Sequence, residues 1–280
     1  MIKLGPEKAV YSVLLPEVKE LLSQCVSDFY MHSADKEQLD QIRWDAIGEF
    51  RSWVKDIVDL SEFEYAYPTY GVTTAIDQWL IDNPNKVQTF PGEYGWVSEQ
   101  RKSTFDNSQT AATAYISNPF SSNGNFHTRH ETLELPTFLD CAFIGTTKKN
   151  RLEITPNIKT IGFSFSKGFS VNLFRTGFVF SKNKIPALHT LMSYNYYNLS
   201  SIAVSRLLMK NFSVDYIYNK FRSTQLEICE ENNLNPSDCV FLATSTDPKY
   251  DHYKRSDGTN RLCLSREYER RGLGSFNLNI

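Results

Sequence analysis

The most informative stretch of this chain is Ser164-Phe-Ser166-Lys167-Gly-Phe-Ser-Val-Asn-Leu-Phe-Arg175-Thr-Gly177. It places a lysine directly behind two serines, and an arginine eight residues after the lysine. Serine hydroxyls and a planar guanidinium are groups that bind a phosphate, the guanidinium through two parallel hydrogen bonds. A lysine that is to react with an aldehyde needs that reactant held rigidly beside it. The stretch therefore predicts a phosphate-anchored site around Lys167.

Composition and charge narrow the class of protein. The 280 residues are 41% hydrophobic and 22% charged, as in an ordinary soluble globular protein. The formal net charge of −2 gives no electrostatic signature for nucleic acid or an anionic membrane. The first eight residues carry charge and a proline rather than an apolar run, and no stretch approaches the ~20 apolar residues of a membrane span. We expect a cytoplasmic protein without nucleic-acid or membrane partners.

Cysteine and histidine spacing argues against a metal site. The five cysteines are scattered, and no Cys-x-x-Cys pair occurs among them. His127 and His130 are three residues apart, but their Asn-, Thr- and Arg-rich surroundings are typical of a solvated loop or a helix start. We therefore predict neither a disulfide framework nor a bound metal.

Hydrophobic periodicity predicts helices in the first part of the chain. One amphipathic helix is expected from Pro16 to about Tyr30 and a second from about Asp35 to Val58. A turn at Tyr67-Pro-Thr-Tyr-Gly71 leads into a third helix, from Thr73 to about Ile81. A long helix is predicted further along, from about Tyr196 to Glu231.

Short apolar runs predict strands between these helices. They are Val87–Phe90, Ala112–Ile116, Phe138–Ala142, Thr160–Phe163 and Thr176–Phe180, with two more at Val240–Ala243 and Arg261–Leu264. The alternation of strands with loops or helices favours an α/β fold, in which a mostly parallel central sheet is flanked by helices. The last two strands are expected to belong to a small α+β second domain.

Several polar residues lie next to these predicted strands. Asn118-Pro119 follows one strand, and Asp140 lies at the end of another, where a surface aspartate would be poorly placed. Gly71-Val72-Thr73 opens a helix, and the first amides of a helix form a natural anion site. Pro91-Gly-Glu-Tyr94-Gly-Trp96 and Asn260-Arg261-Leu-Cys-Leu264 contribute two aromatic residues and a further arginine.

In this order along the chain, these residues resemble the class I/II aminotransferases, a fold-type I family that uses pyridoxal 5'-phosphate (PLP). The resemblance implies a fold-type I PLP-transferase in which Lys167 carries the cofactor as a Schiff base and later moves a proton. It implies that Asp140 forms a salt bridge with the pyridine nitrogen, which makes the ring an electron sink. Lys167 and Asp140 are thus the expected catalytic residues.

The same resemblance implies roles for the remaining residues. Asn118 would donate a hydrogen bond to the ring 3-oxygen and contact the substrate, and Arg261 would bind the substrate α-carboxylate. An aromatic ring would stack on the pyridine, and we favour Tyr94 over Trp96. The cofactor phosphate would be held by Ser164, Ser166, Arg175 and the backbone of Gly71, Val72 and Thr73.

One position departs from the family pattern. Phe143 stands where the family has a tyrosine, three residues after the aspartate, that donates a second hydrogen bond to the ring 3-oxygen. Phenylalanine cannot donate, so we expect a slower or differently directed reaction, with Asn118 alone on that oxygen.

The resemblance also implies an organisation. Residues 60–190 would form the core of a PLP-binding large domain, with residues 1–59 as a helical segment packed on it. Residues 191–280 would form an interdomain helix and a small C-terminal domain. A homodimer is expected, because the family's active site lies at a dimer interface; Tyr70 or Tyr67 would then be candidates to reach the neighbouring site.

The expected function is that of a PLP-dependent aminotransferase-like enzyme acting on free amino acids and 2-oxo acids. One alternative keeps the cofactor but leads to elimination, cyclisation or oxidation of an amino acid in specialised biosynthesis. Another is a non-catalytic binding protein with a degenerate PLP fold. Retention of Lys167, Asp140, Asn118 and Arg175 together argues against the last.

Overall fold

The structure is a computed structural model that describes residues 2–7, 9–29, 36–101, 111–171 and 174–275. The chain begins with two helices, α1 (Pro16–Phe29) and α2 (Lys36–Val54), and a third, α3 (Val72–Asp82), follows the first strand. All three were predicted, although the expected limits at Tyr30 and Asp35 lie outside the described residues. No helix in the described ranges is long and apolar enough to cross a membrane.

A six-stranded sheet forms the centre of the molecule. Its strands are β1 (Tyr65–Thr69), β2 (Val87–Gln88), β3 (Thr113–Ser117), β4 (Thr137–Cys141), β5 (Ile158–Ser164) and β6 (Gly177–Ser181). Their order across the sheet is β1-β6-β5-β4-β3-β2; β2 to β5 run parallel to one another, and β6 is antiparallel to both of its neighbours. Every residue of β3, β4 and β6 is buried. The predicted α/β class with a mostly parallel sheet is therefore confirmed.

Further helices flank this sheet and connect it to a second one. They are α4 (Gly95–Arg101), α5 (Ser166–Phe169), α6 (Pro186–Ser193), α7 (Leu199–Asn211) and α8 (Tyr216–Asn232). Three antiparallel strands follow in the order β7-β8-β9: β7 (Asn235–Pro236), β8 (Leu242–Ser245) and β9 (Asn260–Cys263). The last helix of the described chain is α9 (Ser265–Arg270). The two predicted C-terminal strands correspond to β8 and β9.

Two local predictions were wrong. The segment around Pro68 was expected to be a turn, but it is strand β1, whose one partner among the described strands is β6. A proline is tolerated there because an edge strand needs no amide donor on its outer side. The long helix expected from Tyr196 to Glu231 is broken: Phe212 is extended (φ −132°, ψ 134°) and ends α7. Its ring packs against Phe169 and Tyr216, with centroid separations of 5.6 and 4.6 Å.

Close packing of α3 on the sheet fixes the position of its first turn. At Gly177, the first residue of β6, a Cβ atom would lie 2.3 Å from the Phe163 carbonyl oxygen and 3.0 Å from the Gly71 Cα. Only glycine fits between these backbones. The start of α3 is thereby held directly against the ends of β5 and β6.

The N-terminal segment ahead of α1 bridges the two sheets. The Gly5 amide donates to the carbonyl oxygen of Cys263 on β9 at 2.8 Å, and Leu14 pairs with Ser275. On its other side, the Ser12 hydroxyl donates to the Ser166 carbonyl oxygen at 3.1 Å. The segment therefore runs past the loop that carries Lys167.

Candidate active site

The direction of the strands brings the chemistry-bearing residues to one edge of the central sheet. The parallel strands β3, β4 and β5 all end there, with Asp140 on β4 and Ser164 on β5. Because β6 is antiparallel to them, its first residue lies at the same edge, next to the end of β1 and the start of α3. The carboxyl ends of parallel strands are where α/β folds bind ligands.

A cavity of about 530 Å³ opens at this edge. Nine of the residues singled out from the sequence line it: Val72, Thr73, Tyr94, Asp140, Ser164, Ser166, Lys167, Arg175 and Arg261. Gly71 lies directly behind Arg175, and Asn118 lies outside the cavity lining. The tertiary structure thus gathers residues that are up to 189 positions apart (261 minus 72) around one volume.

Lys167 lies in the short helix α5, immediately after β5. Its Nζ donates to the Val10 carbonyl oxygen at 2.8 Å, so the N-terminal segment holds the amine in place. Burial is the main cause that lowers the pKa of Lys167, and the positive charge of Arg261 acts in the same direction. A lysine amine with a lowered pKa is more readily uncharged and nucleophilic than an exposed one.

Asp140 is buried at the end of β4, where two donors hold its carboxyl group. The Ala142 amide donates to Oδ1 at 2.8 Å, and the Tyr115 hydroxyl donates to Oδ2 at 2.6 Å. Burial raises the pKa of Asp140 to about 6, while the hydrogen bonds and the nearby Lys167 amine oppose the rise. The carboxyl is therefore mostly ionised at neutral pH, despite being only 4% exposed.

A corner suited to an anion, called the phosphate corner below, lies where the start of α3 meets Arg175, Ser164 and Ser166. Gly71 has φ +79° and precedes the helix, and no side chain caps the first amides. A Cβ atom at Gly71 would lie 3.3 Å from an Arg175 guanidinium nitrogen and 3.8 Å from the Ser164 hydroxyl oxygen. The buried Ser166 hydroxyl has no hydrogen-bond partner within the described residues. Unpaired amides, a guanidinium and an orphaned hydroxyl together form a site suited to a phosphate.

Three aromatic side chains line the cavity, and Tyr94 and Phe143 are the two that the sequence analysis singled out. Tyr94 is partly exposed and lines it, whereas the Trp96 indole nitrogen donates to Asp77 at 2.6 Å. Between the two candidates for a stacking ring, Tyr94 is the one placed at the cavity. Phe143, the departure from the family pattern, also lines the cavity and is buried.

Arg261 on β9 forms the far wall of the cavity. It is 5% exposed, and its Nη1 donates to the Ser121 carbonyl oxygen at 2.6 Å. Burial lowers the pKa of Arg261 to about 10, so the guanidinium remains charged at neutral pH. A buried cation at a cavity wall is a suitable partner for a carboxylate.

Asn118 does not face the cavity. Its amide nitrogen donates to the His127 carbonyl oxygen at 2.9 Å and lies 3.2 Å from His130 Nδ1. The predicted contacts of Asn118 with a ring 3-oxygen and a substrate therefore stay predictions. In this arrangement the amide is instead part of a buried cluster with the two histidines, whose ring centroids are 5.9 Å apart.

Sequence reasoning missed four contributions to this site. They are Tyr115 on Asp140, the N-terminal segment at Lys167, the second cavity arginine Arg255, and the buried carboxyl of Glu93. Glu93 accepts hydrogen bonds from the amide and the hydroxyl of Ser117, and burial raises its pKa to about 8.

Comparison with solved structures identifies the fold. The chain superimposes on an aminotransferase from Staphylococcus aureus with a TM-score of 0.67 and 12% identity, over 96% of this chain and 92% of the other. It superimposes on the PLP-bound histidinol-phosphate aminotransferase from Sinorhizobium meliloti with a TM-score of 0.66 and 13% identity, over 96% of this chain and 91% of the other. It also superimposes on L-threonine-O-3-phosphate decarboxylase from Porphyromonas gingivalis, with a TM-score of 0.64 and 12% identity over 97% of this chain and 96% of the other.

These likenesses show that the chain has the fold of the fold-type I PLP-dependent enzymes. No protein-family model and no curated protein sequence matches it. At 12–13% identity the shared fold does not carry over a reaction, because one fold serves many chemistries.

Proposed function

We propose that this protein is a PLP-dependent enzyme that transfers the amino group between free amino acids and 2-oxo acids. The observation that carries the proposal is the meeting, in one cavity, of a lysine with a lowered pKa, a buried ionised aspartate and an uncapped helix start with an arginine beside it. These are the separate requirements of a Schiff-base lysine, a ring-nitrogen partner and a phosphate anchor.

The residues present fit the cofactor. The orphaned Ser166 hydroxyl, the Ser164 hydroxyl, the Arg175 guanidinium and the first amides of α3 would hold its phosphate. Asp140 would hold the protonated ring nitrogen, and Tyr94 would lie against the ring. Bound PLP supplies an electron sink for the electron pair left on the substrate Cα when a bond at that carbon breaks.

The chain's own residues would supply the acid–base steps. Released from the cofactor, the Lys167 amine can take a proton from the substrate Cα, because burial favours its uncharged form. The Val10 carbonyl oxygen orients the amine. Asp140, kept mostly ionised by Tyr115 and by the Ala142 amide, would supply the negative charge that holds the cofactor's ring nitrogen protonated. Arg261 would bind the substrate α-carboxylate and fix which bond at Cα is exposed to Lys167.

We further propose a homodimer and a division into a large domain (60–190) with the helical segment 1–59 packed on it, followed by an interdomain helix and a small C-terminal domain (191–280). The division is supported by the two separate sheets, and dimer formation by the exposure of Tyr70 beside the phosphate corner. Tyr67, the other candidate to reach a partner, is buried and accepts a hydrogen bond from the Ile185 amide at 3.4 Å. Tyr70 is thus the better candidate to reach the active site of a partner subunit.

The proposal is tested by cofactor binding and by a half-reaction. The purified protein is loaded with PLP, and a visible absorbance band that borohydride abolishes is expected. Lys167→Ala should lose the covalent attachment of PLP and turnover. Lys167→Arg keeps a positive charge at this position but no reactive amine, so it should lose both as well. Amino acids should then convert the bound cofactor to its amine form, and a 2-oxo acid should restore the band.

Three results would contradict this function. A chromophore and turnover that survive Lys167→Ala would exclude the assigned lysine. Bound cofactor that no amino acid converts would favour a non-catalytic binding protein. Conversion of the amino acid to ammonia and a 2-oxo acid, without formation of the cofactor's amine form, would favour elimination or oxidation over transamination.

A further inference from the structure

A buried carboxyl group next to the cavity has no part in the proposed function. Glu93 is 5% exposed and immediately precedes Tyr94, which lines the cavity. Its Oε1 accepts from the Ser117 amide at 2.9 Å, and its Oε2 accepts from the Ser117 hydroxyl. Both carboxyl oxygens are therefore engaged by one residue, the last of β3. Paired contacts of this kind hold a buried side chain in one orientation.

A tight turn directs Glu93 toward β3. The Glu93 amide donates to the Phe90 carbonyl oxygen at 3.1 Å, with Pro91 and Gly92 as the two central residues. Gly92 has φ +90°, the conformation of the third residue in a type II turn. A Cβ atom at Gly92 would lie 2.7 Å from the Ser122 Cβ, so both the conformation and the space require glycine. The position of Glu93 is thus set by the Pro-Gly pair before it.

The hydrogen bonds continue from Ser117 to the far wall of the cavity. The Ser117 hydroxyl oxygen accepts from the Ser121 amide at 2.8 Å, and the Ser121 carbonyl oxygen accepts from Arg261 Nη1 at 2.6 Å. These hydrogen bonds form a buried network, called the Glu93 network below, whose four members are each at most 8% exposed: Glu93, Ser117, Ser121 and Arg261. Because hydrogen bonds in a buried network stiffen one another, a change at Glu93 reaches the guanidinium of Arg261.

The surroundings of Glu93 keep its carboxyl mostly neutral. Burial raises the pKa of Glu93 to about 8, and the negative charge of Asp140 acts in the same direction. Arg255 donates through Nη2 to the Glu93 carbonyl oxygen at 3.4 Å. Burial lowers the pKa of Arg255, and Asp257 is the charged group that most opposes this, so Asp257 supplies a counter-charge to Arg255. Glu93 therefore acts at neutral pH through its hydrogen bonds rather than through a charge.

We propose that Glu93 is a positioning residue for substrate binding, which orients Arg261 toward the substrate α-carboxylate through Ser117 and Ser121. This inference rests on the proposed function, in which Arg261 binds that carboxylate. A guanidinium fork matches a carboxylate in one relative orientation, so a network that holds the fork in place before binding adds to affinity. Glu93 is not among the described residues that line the cavity, so it acts through its neighbours.

Carboxylate binding is measured separately from turnover. The PLP-loaded protein is titrated with propionate and 3-phenylpropionate, and with their uncharged amides, by ligand-observed NMR at neutral pH and fixed ionic strength. The wild type should bind at least one acid about tenfold or more tightly than its amide, because hydrogen bonds between charged groups contribute that much. Glu93→Ala should reduce this carboxylate preference by about three- to tenfold, with less than about a threefold change in the dissociation constant of PLP.

Two variants distinguish positioning from a general loss of stability. Glu93→Gln keeps both contacts, because its oxygen can accept from the Ser117 amide and its NH2 group can donate to the Ser117 hydroxyl oxygen, so it should retain the carboxylate preference. Glu267→Ala removes another buried carboxyl, which is paired with Arg270 on α9 away from the cavity lining. This matched control should lower the free energy of unfolding and leave the carboxylate preference unchanged.

A double variant tests the path through Ser117. Ser117→Ala interrupts the Glu93 network one step further along, so it should lose carboxylate preference by itself, and it decides the question if Glu93→Ala does not fold. Glu93→Ala combined with Ser117→Ala should lose little more than the more damaging single variant, because both break the same connection. Losses that multiply would show independent roles and contradict the network.

The outcomes separate this inference from the proposed function. A carboxylate preference that is the same in the wild type and Glu93→Ala contradicts the positioning role, as does an equal loss in Glu93→Ala and Glu267→Ala. A wild type without any carboxylate preference contradicts the role given to Arg261 in the proposed function. A preference that depends on Glu93, without any amino-acid half-reaction, supports the positioning role and contradicts transamination. Where the half-reaction proceeds, Glu93→Ala should raise KM for the amino acid and leave kcat nearly unchanged.

Discussion

The two ends of the cavity are built in different ways. The phosphate corner is made by neighbours in sequence: Ser164, Ser166 and Arg175 lie within twelve residues, and α3 is pressed against them by the glycine at 177. The rest of the cavity is assembled from distant segments: Tyr115 on β3 holds Asp140 on β4, the N-terminal segment holds Lys167, and Arg255 and Arg261 come from the turn before β9 and from β9 itself.

The two ends of the cavity also differ in how strongly burial affects the charge of their side chains. The phosphate corner is partly open to solvent, and the side chain of Arg175 is exposed. At the other end, burial shifts the pKa values of Glu93, Asp140, Lys167 and Arg261. The first end would hold a phosphate, whereas burial sets the protonation of the groups at the second end. Substitutions at the two ends should therefore fail in different ways.

The largest effect is expected at the phosphate corner. Arg175→Met should weaken PLP binding by about 10- to 100-fold, because a charge-assisted hydrogen-bonding pair with the phosphate is lost. Arg175→Lys should recover part of the loss. The measurement is the dissociation constant of PLP, with Arg151→Met, at an exposed arginine, as the control. Pyridoxal without its phosphate should bind all variants alike; an equal loss for pyridoxal would place the defect elsewhere.

The next effect concerns stability at the buried end. Burial raises the pKa of Glu93 in the folded state to about 8, above its ordinary value of 4.5, so the folded protein binds an extra proton between these values. Its stabilising contribution is complete below about pH 4.5 and is lost as the pH rises through about 8. Between about pH 5.5 and about pH 7.5 the free energy of unfolding should fall by about 2 kcal/mol from this group.

Glu93→Gln should remove this part of the pH dependence, since glutamine is always neutral. Urea unfolding at the two pH values measures the change, and Glu64→Gln, at an exposed position, is the control. An unaltered decrease in Glu93→Gln would show that Glu93 is ionised in the folded state throughout this range.

A smaller effect is expected for the hydroxyl on Asp140. Tyr115→Phe removes a donor to the carboxylate, so the pKa of Asp140 should rise from about 6 toward neutrality. The acid limb of kcat/KM should then move up by about one pH unit, with about a twofold loss at pH 7, because the ionised fraction of Asp140 falls from about 0.9 to about 0.5. The pH profile and the spectrum of the bound cofactor measure this shift.

Tyr65→Phe is the matched control, because the Tyr65 hydroxyl makes no hydrogen bond within the described residues. A profile that is the same in Tyr115→Phe and the wild type would leave Tyr115 with a packing role only.

The smallest effect is expected at the N-terminal segment. Ser12→Ala deletes a buried hydrogen bond to the Ser166 carbonyl oxygen, which should cost about 1 kcal/mol in the free energy of unfolding. PLP affinity should change by less than about threefold, since the Val10 carbonyl still holds Lys167. Ser193→Ala, at an exposed serine, serves as the comparison. A large loss of PLP with unchanged stability would show that the segment belongs to the binding site itself.

Most of the fold followed from local patterns. The amphipathic stripes of α2 and α3 and the apolar runs of β3, β4 and β5 were predicted within a few residues. Strand β1 was missed because its proline indicates a turn, and only the edge position in the sheet makes that proline acceptable. The break at Phe212 was missed because the surrounding residues favour a helix, and the contact with Phe169 decides otherwise.

The site was predicted where its parts are consecutive or follow a strand end. Lys167, Arg175, Asp140 and Arg261 line the cavity as expected, whereas the Asn118 amide is engaged by His127 and His130. Tyr115 could not be identified from sequence, because a tyrosine in an apolar strand is ordinarily core. Its role depends on the register that pairs β3 with β4 and puts its hydroxyl within reach of Asp140.

The sequence by itself determined the α/β class and predicted a phosphate-binding stretch around the lysine, because backbone periodicity and consecutive polar groups are local properties of a chain. Only the tertiary structure decided which groups lose water and which charges become neighbours. Desolvation and Coulomb interaction depend on distances through space, and it is these that set the protonation of Glu93, Asp140 and Lys167 and placed Arg255 beside Arg261.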